Sequence, residues 1–116
     1  GWAELIAAIF DAADATPIPG TRLPDALDFD RTVAGLADLA GGAGLDVVEA
    51  DELDWTWHVR PEDLWAGIAG GVATPGQIYL AQTPEVRARI EREFFARATD
   101  PPFAFAARAA FVLASR

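Results

Sequence analysis

The chain has 116 residues, and its 9 basic and 18 acidic residues give a formal net charge of −9 at pH 7. This acidic balance disfavours nucleic acid and anionic membrane surfaces as partners, because both would repel it. The chain contains no Cys, which excludes disulfides, thiolate nucleophiles and Cys-bound zinc. All nine basic residues are Arg, a bias that indicates GC-rich coding and a bacterial source.

The length corresponds to one small domain or to part of one. No apolar run reaches the roughly 20 residues of a membrane span, and no charged leader precedes an apolar core. We therefore expect a cytoplasmic protein. The chain contains no Met and begins at Gly1, so we expect the natural protein to begin upstream.

The first half of the chain predicts two helices and a loop. Apolar residues recur at helical spacing from Trp2 to Ala15, and the proline-rich segment TPIPGTRLP (residues 16–24) then ends this helix. A second helix follows, with Asp28 or Asp30 as its cap. Three glycines are expected to close it, at positions 41, 42 and 44.

From Asp46 to Val59 the period changes to two, which predicts a half-exposed strand. Leu53, Trp55 and Trp57 alternate there with Asp54, Thr56 and His58. The apolar set is expected to be buried and the polar set to face solvent.

Residues 60–101 are predicted to form a helical insertion between the two strands. Pro61 fits the first position of a helix that ends near Gly70, and a short helical piece is expected from Pro75 to Ala81. Thr83, followed by Pro84, predicts the start of a longer helix. Asp100, Pro101 and Pro102 then break the chain.

The last element, Phe103 to Ala114, is apolar at every position except Arg108. A strand that is covered on only one face alternates polar and apolar residues, so this unbroken run predicts a strand covered on both faces. An interior strand needs two neighbours, whereas the rest of the chain offers one. The run therefore favours a chain that is part of a larger α/β protein.

This order of elements resembles the C-terminal part of the Rossmann-like S-adenosylmethionine-dependent methyltransferases. The resemblance rests on a helix ending in LADLAGGAGLDVVEADEL, a PEDLW helix start, the PEVRARIEREFFARA helix and the closing strand. It implies an α+β fold for the isolated chain, with two antiparallel strands and four to five helices. Residues 1–116 would form a single C-terminal, substrate-side portion, whose last strand lies between the fifth and sixth strands of the complete sheet.

The resemblance also implies S-adenosylmethionine as the cofactor of the intact protein, bound by a preceding N-terminal portion. The glycine-rich loop after a first strand and the acidic residue ending a second strand have no counterpart in this sequence. Gly41, Gly42 and Gly44 follow a helix and precede a strand, which is the reverse of a phosphate loop. We expect no cofactor site and no catalytic residue in this chain.

The insertion and the end of the preceding strand supply the candidate substrate residues, because in this family the insertion often forms a wall over the acceptor, here a small molecule. Aromatic side chains would line an apolar pocket, and amides would orient the substrate. The alternative is that these aromatics pack a core. The candidates are Trp57, Trp65, Gln77, Tyr79 and Gln82.

Other polar residues have ordinary interpretations. His58, the single histidine, is interpreted as a surface residue on the polar face of its strand. Glu62 and Asp63 suit the start of a helix through its dipole, and no metal site is predicted.

Two hypotheses for function follow. The first is the substrate-side portion of a methyltransferase, and the second is a free-standing α+β ligand-binding or oligomerisation module with an aromatic cavity. Under the first hypothesis the edge of the last strand, Phe103–Ala114, would be left unpaired in this chain, which predicts a homodimer through that edge. Under the second hypothesis the last strand would be covered from within its own chain.

Overall fold

The structure, a computed structural model, describes residues 1–20, 23–98 and 102–116. These residues contain five α-helices and a two-stranded antiparallel sheet, with about 50% helix and 24% strand, which confirms the α+β class. The elements are α1 (Trp2–Ala12), a 3-10 helix (Asp25–Leu27), α2 (Val33–Gly42), β1 (Asp46–Val59), α3 (Pro61–Ala69), α4 (Ala73–Leu80), α5 (Pro84–Arg97) and β2 (Phe103–Ser115).

All five expected helices are present, and several have shifted ends. The first ends at Ala12 instead of Ala15, and Asp14 then takes a positive φ of 53° that no helix can continue through. The short helix begins at Ala73, so that Pro75 lies in its first turn, where a missing N–H costs no helical hydrogen bond. Residues 21, 22 and 99–101, part of the predicted loop and insertion, lie outside the described residues.

The cap of α2 differs from the expectation. The hydroxyl of Thr32, and not the carboxylate of Asp28 or Asp30, accepts the N–H of Gly35 at 3.0 Å. Thr32 directly precedes the helix, and its hydroxyl donates to the Asp30 carboxylate at 3.1 Å, which orients it. At the other end Gly44 adopts a φ of 83°, so the glycines close the helix as predicted.

The two strands pair antiparallel, as predicted, across the helical insertion. The expectation that this chain supplies β2 with one neighbouring strand is confirmed, and its cover on both faces stays a prediction for a larger protein. β2 has β1 as its one neighbour among the described residues, and Phe105 is its one buried residue. The apolar side of β1 is also open, since Leu53, Trp55 and Trp57 keep 59%, 46% and 38% of their surface exposed.

The chain divides into two compact units. The helical unit comprises Gly1–Gly20 and Thr56–Phe105, and the sheet unit comprises Thr21–Trp55 and Ala106–Arg116. The helical unit contains the core, formed by apolar side chains of α1, α3, α5 and the start of β2: Ile6, Ile9, Ala13, Leu64, Ile68, Ile90, Phe94 and Phe105. In the sheet unit, by contrast, no described residue is buried.

Candidate ligand-binding site

The helical unit carries two open apolar pockets. The first, here called the Trp57 pocket, has a volume of about 190 Å³. The second, the α1 pocket, has a volume of about 350 Å³. Trp2 and Pro75 line both. The Trp57 pocket is further lined by Trp57, Leu64, Gly67, Ile68, Val72 and Ala73, and the α1 pocket by Ala3, Ile6, Ala7, Phe10, Thr74 and Ile78.

Two indoles form the aromatic wall of the Trp57 pocket. The ring of Trp2 meets that of Phe105 edge-on at 5.8 Å between centroids, and the ring of Trp57 lies 5.9 Å from the same Phe105. Phe105 is buried in the core. Both indoles therefore pack against a core residue. Because these side chains are already held in position, little conformational entropy is lost when a ligand binds.

A tight turn between α3 and α4 supplies another part of the lining. Gly71 takes a φ of 80°, and Gly76 packs so closely that an added Cβ would lie 2.3 Å from the Gly71 carbonyl carbon. Both positions therefore require glycine. The turn presents Val72 and Ala73 to the pocket, and Ala73 itself adopts a positive φ of 53°.

The residues that line the pockets indicate the charge and polarity of a suitable ligand. Neither pocket is lined by an acidic, basic or histidine side chain, and Thr74 supplies the single side-chain hydroxyl. A charged ligand group would lose water there without gaining a partner, which is costly. A cavity of about 150 Å³ holds one benzene-sized ring, so these volumes suit one or two rings. The arrangement can bind and orient an uncharged, apolar molecule.

Of the candidate substrate residues, Trp57 lines one of these two pockets. Trp65 and Tyr79 lie together in an aromatic cluster, with ring centroids 5.2 Å apart, and Trp65 also contacts Phe94 at 5.3 Å and Phe95 at 5.7 Å. Phe94 is fully buried. The contacts of Trp65 and Tyr79 are thus those of packed side chains.

The two glutamines differ sharply from each other. Gln77 is exposed on α4, whereas Gln82 keeps only 7% of its surface exposed. Gln82 accepts the Thr16 N–H at 2.8 Å and donates to the carbonyls of Thr16 at 2.8 Å and Ile78 at 2.9 Å. Its amide is fully used by the backbone, so it clamps the segment after α1 to the end of α4.

Sequence reasoning missed Trp2, Pro75 and the exposed side of α1. A signal was present, because the segment WAELIAAIFDA has just two polar residues, Glu4 and Asp11, and is therefore apolar on most of its circumference. A helix of this kind has more apolar surface than one core contact can cover. Its core stripe is Ile6, Ile9 and Ala13, while Ala3, Ala7 and Phe10 line the α1 pocket.

The remaining polar candidates stay apart from these pockets. His58 is exposed. Asp63 pairs with Arg60, whose guanidinium hydrogen bonds lower the pKa of that carboxyl. Across residues 1–20, 23–98 and 102–116, no group of three His, Asp or Glu side chains is placed to hold a metal ion.

Comparison of the chain with models of protein families, with curated proteins and with solved structures gives no match. No helix in the described part of the chain has both the length and the apolar character needed to cross a membrane.

Proposed function

We propose that this chain is the substrate-side portion of a cytoplasmic, S-adenosylmethionine-dependent methyltransferase that acts on a small, uncharged, apolar acceptor. The observation that carries the proposal is the pair of uncharged pockets that share Trp2 and Pro75, in the helical unit that contains the insertion between the two antiparallel strands. The family resemblance of the sequence supplies the reaction class.

The residues of this chain do not fit the cofactor itself. Gly41, Gly42 and Gly44 belong to the end of α2, where the Leu45 N–H donates to the Ala40 carbonyl at 3.1 Å. That geometry closes a helix, whereas a glycine-rich cofactor loop follows a strand and opens a helix. S-adenosylmethionine would therefore be held by a preceding portion of the protein, and this chain would contribute no cofactor contact.

In this proposal the pockets act through position and exclusion of water. Methyl transfer gains most from an acceptor held at a fixed distance and angle in a site closed to solvent. Trp2 and Trp57 would hold a flat acceptor against their faces, and the Val72–Ala73 turn would limit its depth. Trp65, Tyr79 and Gln82 would act indirectly, by holding the insertion in place.

A second candidate is a free-standing module that binds an apolar ligand without catalysis. It is favoured by the core of the helical unit, which supports the pockets with residues of this chain. The two candidates predict different coding sequences upstream of Gly1. A glycine-rich strand–loop–helix encoded upstream of Gly1 supports the methyltransferase, whereas an initiator codon directly before Trp2 would contradict it and favour the module.

Ligand class can be tested on the chain as it is, by titration with 1-fluoronaphthalene followed by ¹⁹F NMR. Ala7→Leu should weaken binding at least tenfold, because Ala7 lines the α1 pocket and the larger side chain fills it. Ala8→Leu is the matched control, since Ala8 is exposed on the same helix outside both linings. Equal binding by both variants, or equally tight binding of a naphthalene carboxylate, would contradict the assigned pocket.

Titration with S-adenosylmethionine separates the roles of the two portions. We expect no heat of binding from this chain at concentrations up to the millimolar range, because it has no counterpart of the cofactor loop. Micromolar binding by the chain alone would overturn the proposed division of the protein.

A further inference from the structure

We propose that the outer edge of β2 pairs with β2 of a second copy of this chain, which gives a two-fold dimer with a four-stranded antiparallel sheet. This pairing involves the sheet unit of this chain alone. In the complete methyltransferase of the proposed function, a strand of the preceding portion would take the same edge, so the dimer is proposed for this chain by itself.

The apolar side chains of the sheet unit are not covered by other parts of that unit. No described residue of this unit is buried, although both strands carry large apolar side chains. The bidentate pair of Arg108 and Asp54, at 2.6 and 2.9 Å, places these two residues on one face of the sheet. Because side chains alternate, Leu53 and Trp55 lie on the opposite face together with Phe111 and Leu113.

The second step is the size of this apolar face. Four of its side chains keep between 43% and 59% of their surface exposed: Leu53, Trp55, Phe111 and Leu113. Together they present roughly 400 Å² of surface, and by the same alternation Glu49 and Asp51 also lie on this face. In the four-stranded sheet, side chains on this face of β2 would meet side chains on the same face of the partner's β2, because these are cross-strand neighbours. Backbone hydrogen bonds along the edge would supply the rest of the contact.

The third step is the choice of edge. β1 carries five carboxylates, at positions 46, 49, 51, 52 and 54, whereas the segment 103–116 contains no acidic residue. Charged side chains on an edge strand oppose pairing with another strand. β2 has none of these defences, since it runs for 13 residues without Pro or Lys and its single charge, Arg108, is bonded to Asp54.

The fourth step is that pairing through β2 keeps the acidic strands of the two copies apart. Adjacent strands lie about 4.8 Å apart, so two β1 strands in the proposed sheet would be separated by about 14 Å. That distance exceeds the screening length of about 8 Å at physiological salt. Pairing through β1 would place ten carboxylates on neighbouring strands. Pairing of β2 with β1 of another copy would leave open ends and produce filaments, whereas the two-fold pairing closes.

Cysteine scanning tests the proposal directly, because the chain contains no native Cys. Single Cys variants at Ala106, Ala107, Ala109 and Ala110 are oxidised and examined for covalent dimers. In a two-fold antiparallel pair, residues two positions from the axis are already about 14 Å from their copies, well beyond disulfide reach. We therefore expect efficient crosslinking at one position or at two adjacent positions, and none for the control Val48→Cys on β1.

Sedimentation equilibrium of the unmodified chain should give twice the mass of one chain. Phe111→Lys should raise the dimer dissociation constant at least tenfold, because it removes apolar area and adds a charge to β2 of each copy. The matched control is Val48→Lys, on the 67% exposed Val48 of β1, which should leave the constant within about twofold. A monomer at tens of micromolar, uniform crosslinking along β2, or filaments with crosslinks between β1 and β2 would each overturn the proposal.

Discussion

Gln82 offers a direct test of whether a buried amide in this insertion serves structure or a ligand. We expect Gln82→Ala to lower the free energy of unfolding, because the Thr16 N–H, the Thr16 carbonyl and the Ile78 carbonyl each lose a partner at 2.8 to 2.9 Å. Gln77→Ala is the matched control, since Gln77 has the same chemistry and is exposed on the neighbouring helix. It should change stability by no more than about 0.5 kcal/mol.

The magnitude follows from the burial of the groups involved. Each intramolecular hydrogen bond contributes about 1 kcal/mol net, which gives an upper value of about 3 kcal/mol for the three bonds. Thr16 itself is exposed, so water can replace part of the lost bonding at its backbone. We therefore expect a loss of about 2 kcal/mol for Gln82→Ala.

Two measurements check this expectation. Urea unfolding followed by circular dichroism gives the change in stability, and amide hydrogen exchange of Thr16 reports on its own bond to Gln82. In Gln82→Ala the Thr16 amide should lose most of its protection, while in Gln77→Ala it should keep it. If both variants unfold alike and Thr16 exchanges at the same rate in both, the clamp has no structural role and the reasoning is refuted.

Two further predictions concern the sheet unit. Gly35→Ala should destabilise α2 despite the better helix propensity of Ala, because an added Cβ would lie 1.9 Å from the Asp30 carbonyl oxygen. In Gly41→Ala the added Cβ meets no atom within 4 Å, so this variant should stabilise the protein by about 0.5–1 kcal/mol. Thermal unfolding measures both changes, and equal shifts of the melting temperature would contradict the prediction. The hydrogen bond from Arg108 lowers the pKa of Asp54, so the stabilising contribution of the pair is present above the ordinary Asp pKa of about 3.9 and is lost as the pH falls through the lowered value. In NMR titrations Arg108→Ala should return the pKa of Asp54 towards that ordinary range, and an unchanged value would exclude the pair as its cause.

The sequence by itself determined the local elements of this protein. Pro61 and Thr83-Pro84 marked two helix starts, the glycines after Ala40 marked the end of α2, and the change to a period of two marked β1. Each of these features depends on backbone sterics or on hydrogen bonds between residues close in sequence. The antiparallel pairing of β1 and β2 was predicted from the family resemblance, which implies that the helical insertion returns the chain to the same sheet.

The tertiary structure alone decided what each side chain does. Gln77 and Gln82 look equivalent in sequence, and just one of them meets the Thr16 backbone, 66 residues away along the chain. Trp2 became a pocket wall because β2 brings Phe105 to its ring, a contact between the two ends of the chain. Side-chain periodicity specifies which residues share a face of a strand. Burial of that face depends on what the rest of the fold places against it. For this reason β2 is apolar at almost every position and is still largely uncovered in this chain.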